Sequence, residues 1–340
     1  MRKTILVTGA AGFIGFNLCK KLINSSENVI GIDNLNSYYE IKLKKARLQE
    51  LYKINGSFKF YKKDIENKNS MENIFAKHNP KIVFNLAAQA GVRYSIENPS
   101  AFLKTNIIGF GNMLEVCKDH KVSHLIYASS SSVYGGNTKL PYSENNSVDH
   151  PVSLYAASKK SNELMAHTYS HLYSLPCTGL RFFTVYGPWG RPDMAYFLFT
   201  KSILKKETIN IFNHGKMIRD FTYIDDIIES LIRIMEKPPA LENNFDKNNP
   251  DISSSWAPHK IFNIGNSNSI NLMDFVKSIE EALGEKAIKN YLPMQMGDVE
   301  ATLADTSLLE NWIEYKPSTP INDGMKRFTE WFRDFYKDNY

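Results

Sequence analysis

Tyr155 and Lys159 lie four residues apart in the segment SLYAASKKSNE, which runs from Ser153 to Glu163. Four residues are about one turn of an α-helix, so the phenol and the ammonium group would share one face. A tyrosine with an ordinary pKa of about 10 is a poor base at neutral pH, but a neighbouring ammonium group favours the phenolate. The pair therefore indicates an acid–base centre, although the spacing alone fits an ordinary helix surface equally well.

Four consecutive serines, Ser129 to Ser132, precede this helix and follow an apolar, strand-like run. A hydroxyl at the end of a strand can hold the substrate oxygen on which the tyrosine would act. The alternative interpretation is a polar turn.

The elements that must position these groups begin with KTILVTG, an apolar run rich in β-branched residues, and FIGFNLCKKLINS, whose apolar residues have helical spacing. Gly9, Gly12 and Gly15 lie at the junction, where glycine permits a tight turn, close approach to a pyrophosphate and close packing of helix on strand. The helix N-terminus adds free N–H groups and a positive dipole. Asp33 ends the next strand-like run, NVIGIDN, where a carboxylate can bind both adenosine ribose hydroxyls and repel a 2′-phosphate. These features predict NAD rather than NADP; the alternative is a tight turn with a capping aspartate.

The basic segment EIKLKKARLQELYK, residues 40–53, contains Leu43, Leu48 and Leu51 at helical spacing. Because charged residues alternate with these leucines, we interpret it as a helix with a solvated basic face. An anion-binding patch is the alternative.

Further strand-like runs, SFKFYKKDI, KIVFNLAAQAG, HLIYASSSSVYGG and CTGLRFFTVYGP, alternate with helical patterns. This alternation predicts an α/β fold with a doubly wound parallel sheet, in which ligands bind beyond the carboxyl ends of the strands. The candidate residues Asp64, Ala87, Ala88, Ser129–Ser132 and Phe182–Val185 lie at such ends. The alternation loosens after residue 180. We therefore predict a Rossmann-type NAD-binding domain over residues 1–180, to which some later segments return, and a smaller C-terminal substrate-binding lobe over residues 181–340.

The composition excludes several classes of protein. Of the 340 residues, 43% are hydrophobic and 23% charged, as in soluble globular proteins, and the net charge of +5 lacks the dense basic stripe of a nucleic-acid binder. Cys19, Cys117 and Cys177 are far apart, which indicates reduced thiols rather than disulfides or a zinc site, and the histidines lack metal-ligand spacing, so no metal is expected. Glycines interrupt the signal-like start MRKTILVTGAAGFIGF, and no uninterrupted apolar run approaches about 18 residues, so neither a leader nor a membrane span is expected.

The motifs also occur in an informative order over nearly the whole chain: the glycine motif, Asp33, NLAAQAGVRYS, SSSSVYG, YAASK, RFFTVYGP and RDFTYIDD. In this order they resemble the extended short-chain dehydrogenase/reductases of the NAD-dependent nucleotide-sugar epimerase group. AAQAGVR, GPWGRPDMA and SWAP are most similar to the UDP-glucuronate 4-epimerases and to close relatives acting on UDP-N-acetylated uronates. The glycine spacing is GxxGxxG rather than the GxGxxG of many dehydrogenases.

The resemblance implies roles for individual residues. Tyr155 would be the general base, Lys159 its partner and Ser130 the catalytic hydroxyl, with Ser129 and Ser131 as helpers. NAD would be held by Gly9, Gly12, Phe13, Ile14, Gly15, Asp33, Asn34, Asp64, Ile65, Ala87, Ala88, Asn106, Tyr155, Lys159 and Val185. The UDP-sugar would be bound by Arg191, Arg219 and Asp298, with Arg93 and Thr184 near the sugar. Its carboxylate would contact Arg93, Thr184 or the row Ser129–Ser131, while a surface ion pair remains the alternative for any one arginine.

The implied reaction is 4-epimerisation of UDP-glucuronate to UDP-galacturonate. Tyr155 would take the proton of the 4-hydroxyl, C4 would give a hydride to tightly bound NAD⁺, and the hydride would return to the opposite face of the rotated 4-keto sugar. Ser131 and Ser132 occupy positions at which related dehydratases carry Asp-Glu and related decarboxylases carry Glu, which favours simple epimerisation. The alternatives are a UDP-N-acetylated uronate or neutral UDP-hexose as substrate, or an NAD-binding sensor or scaffold without turnover.

The resemblance further implies a homodimer joined through a four-helix bundle. Its helices would be TNIIGFGNMLEVCKDH and YAASKKSNELMAHTYSHLY, in which Met113, Leu114, Leu164 and Tyr169 could be interface or monomer core. We expect a cytoplasmic enzyme of polysaccharide biosynthesis with no nucleic-acid partner.

Overall fold

The predicted strands form the centre of the protein. The computed structural model describes residues 3–250, 252–295 and 298–337. Its strands are β1 (Thr4–Thr8), β2 (Asn28–Asp33), β3 (Ser57–Lys62), β4 (Ile82–Asn85), β5 (His124–Ala128), β6 (Cys177–Phe182), β7 (Thr184–Tyr186), β8 (Thr208–Ile211), β9 (Ile218–Tyr223), β10 (His259–Ile264), β11 (Ser269–Asn271) and β12 (Ile288–Tyr291).

Helices connect most of these strands. They are α1 (Phe13–Asn24), α2 (Ile41–Lys53), α3 (Lys68–His78), α4 (Val92–Glu97), α5 (Pro99–Phe102), α6 (Phe110–Asp119), α7 (Leu154–Tyr173), α8 (Ala195–Leu204), α9 (Ile224–Met235), α10 (Leu272–Leu283), α11 (Ser307–Ile313) and α12 (Ile321–Phe335). A π-helical segment, Leu103–Gly109, joins α5 to α6, and a short 3₁₀ turn, Ser131–Tyr134, follows β5. In the part of the chain described, no helix is long and apolar enough to cross a membrane.

The large sheet has seven parallel strands in the order β3-β2-β1-β4-β5-β6-β10. This is the Rossmann order extended by one strand, with its switch point between β1 and β4, where such sheets bind nucleotides. The predicted α/β Rossmann-type fold is confirmed. β10 comes from beyond residue 180 and joins the sheet beside β6, while the domain boundary at residue 180 stays a prediction.

Apolar side chains cover both faces of this sheet. On β1, Ile5 and Val7 pack on one face with α1, α2, α9 and α12, and Leu6 packs on the other with α3, α6 and α7. Because alternate residues of a strand point to opposite faces, a short run of consecutive apolar residues can serve two helix layers. The sheet is thus held rigid, and its carboxyl edge can carry a site.

The run CTGLRFFTVYGP, predicted as one strand, is two. β6 lies in the large sheet, and the chain then leaves it at Phe183 so that β7 pairs with β9 in a separate three-stranded sheet, β11-β9-β7. This departure begins the C-terminal part of the structure and brings Thr184 towards the substrate side of the fold.

Candidate active site

The glycine turn between β1 and α1 is built for close contact with a ligand. Gly9 has φ of +71°, and a Cβ on Gly15 would lie only 2.1 Å from the Gly9 carbonyl oxygen. Gly12 is the N-cap of α1, and Phe13, Ile14 and Gly15 form its first turn. Side chains at these glycines would collide with neighbouring backbone, so glycine is what allows the tight turn and the close helix–strand packing. The turn therefore fits the predicted cofactor contact.

Asp33 lies beside this turn at the carboxyl end of β2. Its carboxylate accepts hydrogen bonds from the backbone N–H of Ala11 at 3.1 Å and of Leu35 at 2.8 Å. Burial raises the pKa of Asp33, and these two hydrogen bonds oppose that rise by favouring the carboxylate. Asn34 donates to Asp64 at 2.8 Å. Asp33, Asn34 and Asp64 together fit an adenosine ribose, and Ile65, which follows Asp64 in the chain, is buried.

The interpretation of α2 as having a solvated basic face is wrong for two residues. Lys44 is 4% exposed and Arg47 is 0% exposed. Lys44 Nζ donates to the backbone oxygen of Asn36 at 2.8 Å, and Arg47 donates to the backbone oxygens of Ala11 at 2.8 Å and Trp189 at 2.6 Å. The positive charges of both residues oppose the rise that burial causes in the pKa of Asp33. The basic face of the helix is therefore partly occupied by loops that come from elsewhere in the chain.

The π-helical segment places Asn106 at the predicted nicotinamide side. Its side chain accepts from the Gln89 N–H at 2.8 Å and donates to Ser158 Oγ at 2.9 Å, while its own backbone oxygen accepts from Asn162 at 2.6 Å. π-Helical turns occur often at functional sites, because they change which backbone groups are paired. Asn106 thus ties α7, which contains Tyr155 and Lys159, to the loop after β4, which contains Ala87 and Ala88.

Tyr155 and Lys159 lie at the start of α7, on one face as predicted. The helix begins where Ser153 Oγ accepts from the Ala156 N–H at 3.1 Å. Burial raises the pKa of Tyr155, whereas a hydrogen bond from Ser130 and the positive charge of Arg191 lower it. Burial lowers the pKa of Lys159 to about 8, so its amine is mostly protonated at neutral pH.

The four serines have different surroundings. Ser130 accepts from the Ser132 N–H at 3.2 Å and is hydrogen-bonded to Tyr155. Ser129 is buried and donates to Glu163 at 2.7 Å, whereas Ser131 and Ser132 line a cleft with a cavity volume of about 180 Å³. Ser130, Tyr155 and Lys159 are therefore brought together, and Ser129 lies behind them.

The cleft is the candidate substrate site. Its lining also includes Thr184, Arg219, Asp298, Val92, Tyr134, Tyr142 and Thr302. A larger cavity of about 380 Å³ lies elsewhere, beside Lys206 and Lys286, and contains none of the predicted site residues. We assign the site to the smaller cleft because Ser131, Ser132 and Thr184, which follow strand ends, line it. Ser153, the N-cap of the helix that carries Tyr155 and Lys159, also lies in its lining.

The predicted substrate arginines are each held by the protein. Arg191 pairs with Asp193 through two contacts of 3.0 and 2.5 Å. Arg219 donates to the backbone oxygens of Ile218, Val299 and Glu300 at 2.6 to 3.0 Å, which leaves some of its N–H groups for a ligand. Arg93 forms an ion pair with Asp298 at 3.1 Å.

Sequence reasoning missed Glu163 and Arg181, a buried ion pair behind the serines. Arg181 Nε donates to Glu163 at 2.9 Å and its terminal nitrogen donates to the second carboxylate oxygen at 3.0 Å. Glu163 follows Lys159 by four residues, so the same helical spacing that identified the tyrosine and lysine extends to it. Arg181 is marked by its position as a charged residue inside an apolar strand.

Comparison with known proteins identifies the family. The model of the NAD dependent epimerase/dehydratase family matches residues 5–265. The chain belongs to this family. Protein CapI of Staphylococcus aureus is 54% identical over 333 residues, which cover 98% of this chain and 99% of that protein. A probable UDP-glucuronate 4-epimerase of Rhizobium meliloti (strain 1021) is 46% identical, covering 98% of this chain and 97% of its own.

A solved structure extends the likeness to the fold. The crystal structure of UDP-glucuronic acid 4-epimerase from Bacillus cereus, in complex with UDP-glucuronic acid and NAD, superposes with a TM-score of 0.86 at 34% identity, covering 98% of this chain and 100% of that one. These comparisons confirm the predicted family, the Rossmann-type fold, NAD as cofactor, and the prediction of an enzyme that is an isomerase.

Proposed function

We propose that the enzyme interconverts UDP-glucuronate and UDP-galacturonate by inverting the sugar at C4. The observation that carries the proposal is the row of hydroxyl donors beside the tyrosine. Ser131, Ser132 and Thr184 line the cleft, and Asp298, an acidic residue in that lining, is paired with Arg93. A negatively charged uronate would be repelled by free carboxylates at these positions and can be hydrogen-bonded by hydroxyls. The likeness to a UDP-glucuronic acid 4-epimerase supports the same substrate.

In the proposed reaction Tyr155 is the general base. Its phenolate accepts the proton of the sugar 4-hydroxyl and later returns it, while Ser130 holds that oxygen. Burial opposes the phenolate, whereas the hydrogen bond from Ser130 and the charge of Arg191 stabilise it. We propose that the Lys159 ammonium group, one helical turn away, supplies a further positive charge. The glycine turn and Asp33 would hold NAD, which would supply the acceptor and later the donor of the C4 hydride.

The sugar carboxylate needs a fixed orientation. A uronate oxidised at C4 is a β-keto acid, which can lose carbon dioxide. We infer that Ser131, Ser132 and Thr184 hold the carboxylate and so suppress this loss. No acidic residue stands at positions 131 and 132, where a decarboxylating or dehydrating relative would carry one.

The UDP group would lie against Arg191 and Arg219, whose planar guanidinium groups suit phosphate oxygens. Asp193 fixes the plane of Arg191, and three backbone oxygens fix that of Arg219. Arg93 and Asp298 would rearrange or be bridged as the nucleotide enters, since their ion pair lies at the cleft.

A ¹H NMR time course of UDP-glucuronate with purified enzyme and no added NAD tests the function. We expect UDP-galacturonate to appear, because the enzyme retains its cofactor. Tyr155→Phe keeps the ring that packs on Phe102 at 6.0 Å and should lose roughly 10²- to 10⁴-fold in rate while retaining NAD. UDP-xylose as the steady product would contradict simple epimerisation.

Other outcomes separate the alternatives. Conversion of a UDP-N-acetylated uronate or a neutral UDP-hexose, but not of UDP-glucuronate, would correct the substrate. A wild-type enzyme that binds NAD and converts none of these sugars would favour a sensor or scaffold.

We also propose a homodimer that pairs through α7 and the helical segment 103–119. Met113 and Leu114 are monomer core and Tyr169 is half-buried, but Leu164 and Leu172 are 59% and 60% exposed on α7. Other exposed apolar side chains in these two segments are Leu103, Ile108 and Tyr173. An isologous two-fold arrangement would cover this face in both copies.

Light scattering after gel filtration tests the dimer. Leu164→Glu combined with Leu172→Glu should give a monomer, while the control Ile288→Glu, at a 54% exposed position in β12, should leave the dimer intact. A monomeric wild type would refute the proposal. Three buried free cysteines and a nucleotide-sugar substrate support a cytoplasmic location.

A further inference from the structure

Glu163 and Arg181 form a buried ion pair directly behind the candidate catalytic groups. Each side chain is 1% exposed, and the guanidinium group contacts both carboxylate oxygens at 2.9 and 3.0 Å. A buried pair of this kind contributes little net stability compared with apolar residues of similar size. Its position beside the site therefore calls for a second explanation.

The pair reaches the site through two residues. Ser129 donates a hydrogen bond to Glu163 at 2.7 Å, which fixes the first hydroxyl of the serine row at the end of β5. Lys159 lies one helical turn before Glu163 on α7, so the carboxylate and the ammonium share a helix face. Glu163 is thus connected to the strand that carries the serines and to the helix that carries the tyrosine and lysine.

We propose that Glu163, kept ionised by Arg181, is a positioning residue for the reaction: its carboxylate orients Ser129 and holds a negative charge one helical turn from the Lys159 ammonium group. The inference rests on the proposed function, in which that ammonium group stabilises the Tyr155 phenolate. A neutral residue at position 163 would leave the buried Lys159 ammonium group and the Arg181 guanidinium group without the anion that acts on both.

Among the neighbouring groups, Lys159 is the one whose pKa should change when the charge of Glu163 is removed. Glu163 raises the pKa of Lys159 against the effect of burial, which alone would take it lower than about 8. Burial keeps His259 neutral by lowering its pKa to about 3, and it raises the pKa of the Tyr127 hydroxyl well above its usual range. The charged and titratable groups around the pair are Lys159, Lys160 and His167 on α7, Tyr127 on β5, Cys177 on β6, His259 on β10 and Tyr134 in the 3₁₀ turn.

A chain of hydrogen bonds continues away from the site and supplies a control. Arg181 donates to the Tyr134 hydroxyl at 3.0 Å, Tyr134 donates to Asn263 at 2.6 Å, and the Asn263 N–H donates to Glu144 at 2.6 Å. Glu144 is a second buried carboxyl group in the same network, but at the end remote from Lys159. Burial raises its pKa to about 7, so below that pH it is largely uncharged.

Glu163→Gln tests the charge, because glutamine keeps an oxygen that can accept from Ser129. We expect the alkaline limb of the kcat/KM profile for UDP-glucuronate to move to lower pH by about one unit, since a nearby opposite charge typically shifts a pKa by one unit or more. Glu163→Ala should show the same shift and, having lost the acceptor for Ser129, a lower kcat at every pH. The control Glu144→Gln should leave both limbs unmoved, as a residue with only a structural role would.

Lys159 can also be titrated without any substrate. In protein labelled with ¹³Cε-lysine, the Lys159 signal is assigned by its absence in Lys159→Met. We expect its pKa to fall in Glu163→Gln and to stay close to the wild-type value in Glu144→Gln. An unchanged Lys159 pKa together with an unmoved alkaline limb would overturn the proposal while leaving the epimerase function intact.

The same experiments can also refute the proposed function while supporting the role of Glu163. A wild-type enzyme that converts no UDP-glucuronate but whose Lys159 pKa falls in Glu163→Gln would refute the function and support the role of Glu163. Should Glu163→Gln not fold, Glu163→Asp keeps the charge and draws it back from Ser129. Its expected result is a reduced kcat with a nearly unchanged Lys159 pKa, and an unchanged kcat would count against the orientation of Ser129.

Discussion

Arg47 is expected to connect the cofactor turn to the substrate loop, and Arg47→Met tests this. The side chain is fully buried in α2 and donates to the backbone oxygens of Ala11, in the glycine turn, and of Trp189 and Gly190, just before Arg191. It also donates to the Tyr39 hydroxyl at 2.8 Å. Methionine fills similar space but donates no hydrogen bond. We therefore expect both loops to loosen together.

The expected change in the free energy of unfolding is the difference between two opposing contributions. Arg47 makes four hydrogen bonds of 2.6 to 3.1 Å, and a hydrogen bond from a charged donor contributes about 1.5–3 kcal/mol. Against this stands the desolvation of the guanidinium group, several kcal/mol in a protein interior, and its Nε has no hydrogen-bond partner among the described residues. We expect a net loss of about 3 kcal/mol in the free energy of unfolding. For 340 residues, the average unfolding entropy converts this loss to a fall of about 4 °C in Tm.

The assay compares Arg47→Met with Lys45→Met, which removes an exposed cation from the same helix. Tm is measured by calorimetry, and the NAD that copurifies with each variant is released by denaturation and quantified. Arg47→Met should lose bound NAD and show a raised KM for UDP-glucuronate, because the Ala11 and Gly190 contacts are lost together. If the two variants have the same Tm and the same NAD content, the connecting role of Arg47 is refuted.

Two further predictions concern the cofactor turn and a buried acid. Gly15→Ala should lose copurified NAD and about 1–3 kcal/mol of stability, because its Cβ would lie 2.1 Å from the Gly9 carbonyl oxygen; Gly111→Ala, whose Cβ would meet Met165 at an ordinary 3.4 Å, is the control. Burial raises the pKa of Glu144 from 4.5 to about 7, so its contribution to stability is complete below pH 4.5 and is lost as the pH rises through about 7. Glu144→Gln cannot ionise, so from pH 5 to pH 8 it should gain stability relative to wild type, by about 3 kcal/mol at most; a difference that stays constant with pH would contradict this.

The features that could be predicted from the sequence are those that depend on neighbours along the chain. The β-branched run before Gly9, the helical spacing after it and the four-residue spacing of Tyr155 and Lys159 are local patterns. They predicted the strand, the glycine turn and the helix of Tyr155 and Lys159 at or near their observed positions. The rule that ligands bind beyond the carboxyl ends of parallel strands then led to Asp33 and the serines.

Features set by distant contacts could not be predicted in this way. An alternation of charges and leucines in α2 is the same whether the charges meet water or the carbonyl groups of another loop. Arg47 meets Trp189, 142 residues away, and its burial depends on that contact. The division of CTGLRFFTVYGP had the same cause, because β7 is defined by pairing with β9 and an apolar run does not specify its partner.

Glu163 lies between these two cases. Its spacing from Lys159 is as regular as that of Lys159 from Tyr155, so a search of the helix face could have proposed it. The sequence alone could not assign its charge state, because a glutamate on that face can equally well lie in solvent. The charge state of Glu163 depends on Arg181, which lies in β6. Its two contacts with the carboxylate lower the pKa of Glu163 despite burial. The helix therefore supplies three groups in a row, and the sheet determines that the third is an anion.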